Sequence, residues 1–230
     1  MNFLRDGKHG DMMMDKLAKG EWKWLFFDVG STLVDETESF RRRVVRTVAA
    51  QKEKGIDCTE EFLWDAMRAA AREGRSYFRG AMRSIGIVDF PPYDPTGEVL
   101  FPDAKAVLEA LAKRYSLGII ANQPRGTADR LKEYGVGHLF SLVLSSDEEG
   151  IEKPNEEIFL RALRRAGCEP HEACMIGDRP DNDIAPAKRL GMRTIRITQG
   201  LGGLMPVKTE EERADETVTS LSALLMILEG

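Results

Sequence analysis

The sequence predicts an α/β fold: a parallel sheet covered by helices, with a small helical subdomain inserted after the first strand. Three observations predict it. Short apolar runs alternate along the chain with segments of helical spacing, the order expected of strand–helix–strand units. Polar residues fall where those runs end. One segment, from about Thr37 to Pro95, shows helical periodicity and no strand signal.

The first twenty residues, polar and rich in methionine, read as a flexible tail. Trp22 to Phe27 is short, apolar and aromatic, as buried strands are, and it ends on Asp28. The helical insertion over 37–95 closes at "DFPPYDPTG", whose prolines forbid regular structure. Residues 21–36 and 96–230 then form one core around it. Four further strands, Ser116 to Ala121, Ser141 to Ser145, Ala173 to Gly177 and Met192 to Thr198, bring the predicted sheet to five. Helices are predicted over Asp103 to Tyr115, Gly126 to Tyr134, Asn155 to Ala166, Asp181 to Leu190 and Ser220 to Leu228. Pro102 and Asp103 start the first of these, and Gly167 and Gly191 close two others.

Composition narrows the function classes. With 230 residues, 42% hydrophobic and 31% charged, the chain suits a soluble globular protein with one substantial core. No apolar run approaches the roughly 18 residues that span a bilayer, and the N-terminus lacks the apolar segment of a secretory signal. A cytoplasmic location with no membrane partner is expected. Cys58, Cys168 and Cys174 are odd in number and lack Cys-x-x-Cys spacing, so they read as reduced, packed thiols. His9, His138 and His171 are scattered and give no metal cluster. A net charge of −5 argues against nucleic-acid binding, which draws on clustered basic surface. The insertion is slightly basic, with eleven Lys or Arg against nine Asp or Glu. Its Arg41, Arg42, Arg43 and Arg46 are either a solvated helix face or a source of one or two contacts to an anionic ligand.

In parallel α/β sheets ligands bind outside the carboxyl ends of the strands. Four polar groups sit at such ends: Asp28, Asn122 after "LGIIA", Lys153-Pro154, and Gly177-Asp178 with Asp183. Taken singly, each is an ordinary cap or turn former. In this order and on this edge they mark a site, and Lys153-Pro154 is expected to start a helix there.

The stretches "FFDVGSTLVDE", "LGIIANQ", "GIEKPNEEIF" and "MIGDRPDNDIAPAKRLGM" resemble motifs I to IV of the haloacid dehalogenase-like hydrolase superfamily. The insertion resembles the helical cap of its subfamily I. The resemblance spans Trp22 to the C-terminus and implies a Rossmann-like three-layer core with the cap set into it. It implies a magnesium-dependent hydrolase, in particular a phosphatase acting on a small anionic phosphorylated metabolite. Asp28 would be the nucleophile and form an aspartyl phosphate. Asp28, Asp178 and the backbone carbonyl of Gly30 would hold Mg2+, with Asp183 completing the metal site by orienting its neighbours. Lys153 would offset the charge of Asp28 and of the phosphoryl oxygens. Thr32, Asn122, Gln123, Lys153 and Arg179 are the substrate-binding candidates.

Two positions depart from the family pattern. The family's phosphatases usually place a second aspartate two residues after the nucleophile, to protonate the leaving group and then activate water; Gly30 stands there. Its carbonyl still offers a metal ligand, but the acid/base group is missing. The substrate then has a good leaving group, or another residue, including one from the cap, serves as the acid, or turnover is weak. At motif II a hydroxyl residue gives way to Ala121 followed by Asn122, so Asn122, Gln123 or backbone N–H groups would replace it, with Arg125 nearby. The alternatives are a weakly active or non-catalytic phosphometabolite-binding protein and a metal-independent 2-haloacid dehalogenase-like enzyme. Phosphonate cleavage would need a buried cap lysine, and the "QKEKG" context of Lys52 and Lys54 does not suggest one. The sequence leaves open a monomer or a homodimer. It also leaves open which of Arg75, Tyr77, Arg79 and Met82 faces the pocket.

Overall fold

A computed structural model describes residues 22–228. The stretch expected to be a flexible tail, 1–20, lies outside the described residues. In chain order come β1 (Trp24–Phe27), β2 (Val34–Asp35), α1 (Thr37–Glu53), α2 (Glu60–Arg72), α3 (Arg79–Ser84), β3 (Val99–Leu100), α4 (Ala104–Leu111) and β4 (Ser116–Ala121). They are followed by α5 (Thr127–Glu133), β5 (Phe140–Ser145), α6 (Ser146–Glu149), α7 (Glu156–Ala166), β6 (Ala173–Gly177), α8 (Ala185–Arg189), β7 (Arg193–Ile197), β8 (Glu216–Val218) and α9 (Ala223–Leu228).

The central sheet is parallel throughout, in the order β5-β4-β1-β6-β7-β8. It has six strands, not the five predicted. The strand missed is β8, Glu-Thr-Val, too short and too polar to give an apolar run because it lies on the sheet edge. β1 sits between β4 and β6, and its Leu25, Phe26 and Phe27 are fully buried. Period-2 alternation sends Leu25 and Phe27 to one face and Phe26 to the other. Helices α4, α5 and α9 cover the first face, and α7 and α8 the second. Burying each such side chain stabilises the fold by about 1.5–3 kcal/mol.

Local chemistry explains the helix bounds. Asn155 accepts from Glu157 N at 3.0 Å to cap α7, acidic residues fill its first turn, Arg164 and Arg165 its last, and Gly167 closes it at φ 63°. The helix therefore begins after Asn155 and not at the Lys153-Pro154 pair itself. The helix predicted over Asp181 to Leu190 is divided. Asp183 N and Ile184 N both donate to Arg179 O, forming a wide π turn over Pro180–Ile184 before α8. Pro186, with no N–H, belongs to the start of α8.

Between β2 and β3 the chain forms α1 to α3 around its own core, which includes Phe40, Val44, Leu63, Met67, Phe78 and Met82. β2 and β3 pair antiparallel, Val34 with Leu100 and Asp35 with Val99, so the chain enters and leaves this helical unit through one short ribbon. The arginine row of α1 has mainly structural partners. Arg43 lies 3.8 Å over the Phe78 ring and donates to Pro91 O at 2.8 Å, Arg46 donates to Pro92 O at 3.4 Å, and Arg41 pairs with Glu38. No described helix is long and apolar enough to cross a membrane.

Candidate active site

Three adjacent strands, β4, β1 and β6, deliver their carboxyl ends to one cavity of about 100 Å³. Asp28 follows β1, Asn122 follows β4 and Asp178 follows β6; Lys153, Arg179, Asn182 and Asp183 complete this side. The loop after Asp28 is tight. The N–H groups of Thr32, Leu33 and Val34 all turn back onto Val29 O, and Ser31 adopts φ 55°, a left-handed conformation uncommon for a residue with a Cβ.

Lys153 organises the carboxylates. It is buried, and its ammonium donates to Asp28 Oδ1 at 2.6 Å and to Asp183 Oδ1 at 2.5 Å. Burial alone would lower its pKa, but the charges of Asp183 and Asp28 outweigh it and hold the pKa above that of an ordinary lysine. Asn122 grips the Lys153 backbone from both sides, accepting from its N–H at 2.7 Å and donating to its carbonyl at 2.8 Å. Asn122, one of the groups expected to replace the missing hydroxyl at motif II, thus positions Lys153 with one of its two amide hydrogens. Burial pushes the Asp28 carboxyl up, against the pull of Lys153, to about 6, which leaves it ionised at neutral pH.

The wide turn after Arg179 brings Asp183 back under the site, where its Oδ2 accepts from Arg179 N at 3.0 Å. Gly177 makes this possible, because a Cβ there would collide with the Asp183 carboxylate. Arg196, buried beneath, donates to Asp178 O at 3.2 Å and to the carbonyls of Gly202 and Met205 at 3.0 and 2.7 Å, fixing the backbone that carries Asp178. Asp28, Asp178 and Asp183 bring carboxylate oxygens within 4.8 Å of one another. Asp178 Oδ2 is buried with no hydrogen-bond donor, and burial, followed by the charges of Asp183 and Asp28, pushes this carboxyl well above the usual range. Clustered hard oxygens with an uncompensated charge fit a small divalent cation such as magnesium.

The other candidates divide between the cavity wall and the interior. Thr32 is fully buried and does not line the cavity; its hydroxyl has no partner and its carbonyl accepts from Gln199 at 3.1 Å. Gln123 and Arg179 do line it, but Gln123 Oε1 accepts from Arg130 at 2.6 Å, and the Arg179 guanidinium pairs with Asp181 at 2.6 Å. Arg125 is exposed, as are Lys52 and Lys54, and Lys54 pairs with Asp89 at 2.9 Å. Of the four residues left open in the insertion, Tyr77 is the one that lines the cavity.

Two residues were missed by sequence reasoning. Glu36, one residue past β2, lines the cavity with Asp28 and Gly30, and burial pushes its carboxyl up to about 8. It accepts from Tyr93 Oη at 2.8 Å and from Ser31 Oγ at 3.3 Å. A Cβ at position 30 would lie 2.5 Å from Glu36 Oε2 and 2.7 Å from Oε1. Tyr93 Oη also contacts Glu98 Oε1, and Glu98 in turn accepts from Tyr134 Oη at 3.0 Å, with Arg130 Nε 3.9 Å away. The acidic "VDE" after the first loop was the available signal for Glu36, but nothing local foretold its partner 57 residues later. Arg196 left only the mark of a cation inside an apolar strand.

The chain is similar to known proteins over most of its length. Residues 22–191 match the haloacid dehalogenase-like hydrolases. A glyceraldehyde 3-phosphate phosphatase of Methanopyrus kandleri is 30% identical, the alignment covering 90% of this chain and 97% of that protein. A haloacid dehalogenase-like phosphatase from Thermococcus onnurineus superimposes with a TM-score of 0.66 at 24% identity, covering 90% of this chain and 98% of the other. A 2-haloacid dehalogenase from Pseudomonas syringae pv. Tomato DC3000 does so with 0.59 at 25%, again covering 90% and 98%. On the family match, which spans well over half its length, this chain belongs to the haloacid dehalogenase-like hydrolases.

Proposed function

We propose that the protein is a magnesium-dependent phosphatase that hydrolyses a small phosphorylated metabolite through an aspartyl phosphate on Asp28. The observation that carries this reading is the buried array in which one lysine joins Asp28 to Asp183 beside the undonated Asp178. Lys153 holds one oxygen of Asp28 and leaves the other for attack on phosphorus. Two of its three N–H donors are spent on carboxylates, so the third remains for a phosphoryl oxygen. Asp28, Asp178 and the Gly30 carbonyl would hold magnesium, which when bound offsets the repulsion between carboxylates and an anionic substrate. Asp183 orients Lys153.

The helical segment 37–95 serves as a cap over the core formed by 21–36 and 96–230, and Tyr77 is its contribution to the cavity wall. The small cavity favours a compact substrate. The name of the Methanopyrus kandleri relative supports a three-carbon phosphate ester, glyceraldehyde 3-phosphate first among the candidates. Dehalogenation is less well supported, since halide departure gives no use to the acidic cluster at Asp178 and Asp183.

The test is hydrolysis of glyceraldehyde 3-phosphate and acetyl phosphate with magnesium or with chelator, using Asp28→Asn as the control. Turnover should require magnesium and fall by more than about 10³-fold in the variant. Thermal stabilisation by phosphate without turnover of either compound would replace this reading with a binding role.

A further inference from the structure

We propose that Glu36 performs the proton transfers that position 30 performs in related phosphatases, its carboxylate having moved into the space left by the glycine side chain. This rests on the phosphatase reading above and names the group that completes it. The geometry is that of a substitution in space: a Cβ at position 30 would lie 2.5–2.7 Å from the Glu36 carboxylate, closer than van der Waals contact, so Glu36 in this conformation fills the space that a side chain at position 30 would take. Glu36 arrives from the far end of the loop, immediately after the β2–β3 ribbon fixes the backbone at Asp35. Ser31 and Tyr93 then hold its two oxygens. It lines the same cavity as Asp28 and Lys153.

The steps balance. As an Asp28 oxygen forms its bond to phosphorus, the bond to the leaving oxygen breaks, that oxygen takes the electron pair, and the proton of the Glu36 carboxyl passes to it. In the second step the Glu36 carboxylate takes a proton from water as the water oxygen attacks phosphorus. The aspartyl oxygen–phosphorus bond breaks and returns its electron pair to Asp28. Tyr93 and Ser31 are positioning residues.

Glu36→Gln keeps the shape and one acceptor oxygen and removes the transferable proton. With glyceraldehyde 3-phosphate its kcat should fall by about 10²-fold or more. With acetyl phosphate, whose leaving group needs no proton, the variant should still form the phosphoenzyme and then accumulate it, seen as a phosphate adduct in intact-mass spectra. Gly30→Asp in an otherwise native chain should lose activity through collision with Glu36. Combined with Glu36→Ala, it should raise ester turnover about tenfold or more above Glu36→Ala alone. Ester turnover in Glu36→Gln within about threefold of the native protein would overturn the proposal. So would equal loss of ester turnover and of phosphoenzyme formation with no rescue by Gly30→Asp, the mark of a purely structural role. Native protein inert toward both substrates would overturn the phosphatase reading itself and this inference with it.

Discussion

Along the strand ends, Asp28, Lys153 and Asp183 hold one another through opposite charge at 2.5–2.6 Å. Along the side facing the insertion, the Glu36 side chain is held, among the described residues, by hydroxyls alone, from Tyr93 and Ser31. Both sets of carboxyls are buried, but one has a cation between its members and the other does not. A buried carboxylate next to an ammonium stays ionised and serves as a nucleophile, whereas one held by neutral donors favours its protonated form. One cavity thus holds similar side chains in two electrostatic settings by giving them different partners.

The sharpest way to break the comparison is to remove the cation. Lys153→Met leaves Asp28 and Asp183 buried without their partner, and should destabilise the fold by about 3–5 kcal/mol in denaturant titrations. Phosphoenzyme formation should fall by about 10²–10³-fold in the same variant. A stable, active Lys153→Met protein would show that charge does not organise the strand-end wall. Next in size is removal of the hydroxyl. Tyr93→Phe deprives Glu36 and Glu98 of a shared donor and should cost about 1–3 kcal/mol, with ester turnover reduced more than phosphoenzyme formation from acetyl phosphate. Equal reductions would place Tyr93 outside the proton-transfer wall.

The smallest effect comes from a surface ion-pair group that belongs to neither wall. Glu149 meets Arg165 at 2.5 Å and Arg161 at 3.2 Å on the protein surface, and the Arg165 contact above all lowers its pKa below 4.5. A carboxyl depressed on folding adds stability above its unfolded value, lost as pH falls through the lower folded one. Glu149→Gln should therefore cost only about 0.2–1 kcal/mol at neutral pH and flatten the acid limb of the stability curve. A larger change would mean that surface pairs are worth more here than the half-exposed Arg165 suggests.

What the sequence revealed follows the same division. Asp28, Lys153, Asp178 and Asp183 each sit beside a signal of short range: the end of an apolar strand, a proline, a glycine-aspartate pair. The sheet was legible for the same reason, because its central strands are continuous apolar runs, while β8 escaped because an edge strand of three residues need not be apolar. Glu36 and Tyr93 belong together only after the insertion has folded and brought residue 93 back to residue 36. Asn122 is legible only in part. Its type and position suit a phosphate contact and it lines the cavity, but that its amide also clasps the Lys153 backbone leaves no trace in sequence.

The Tyr93 hydroxyl also implies a count of hydrogens. A phenol carries one, yet its oxygen lies within reach of both Glu36 Oε1 and Glu98 Oε1. One of those contacts uses the phenol's own hydrogen. A single hydrogen serves one contact at a time, so the two carboxyls share one donor. Glu98 also receives from Tyr134 and has Arg130 nearby, whereas Glu36 has Ser31 as its other donor. How firmly Glu36 is held therefore depends on groups that do not themselves touch it, and a change at Tyr134 reaches the cavity through Glu98 and Tyr93.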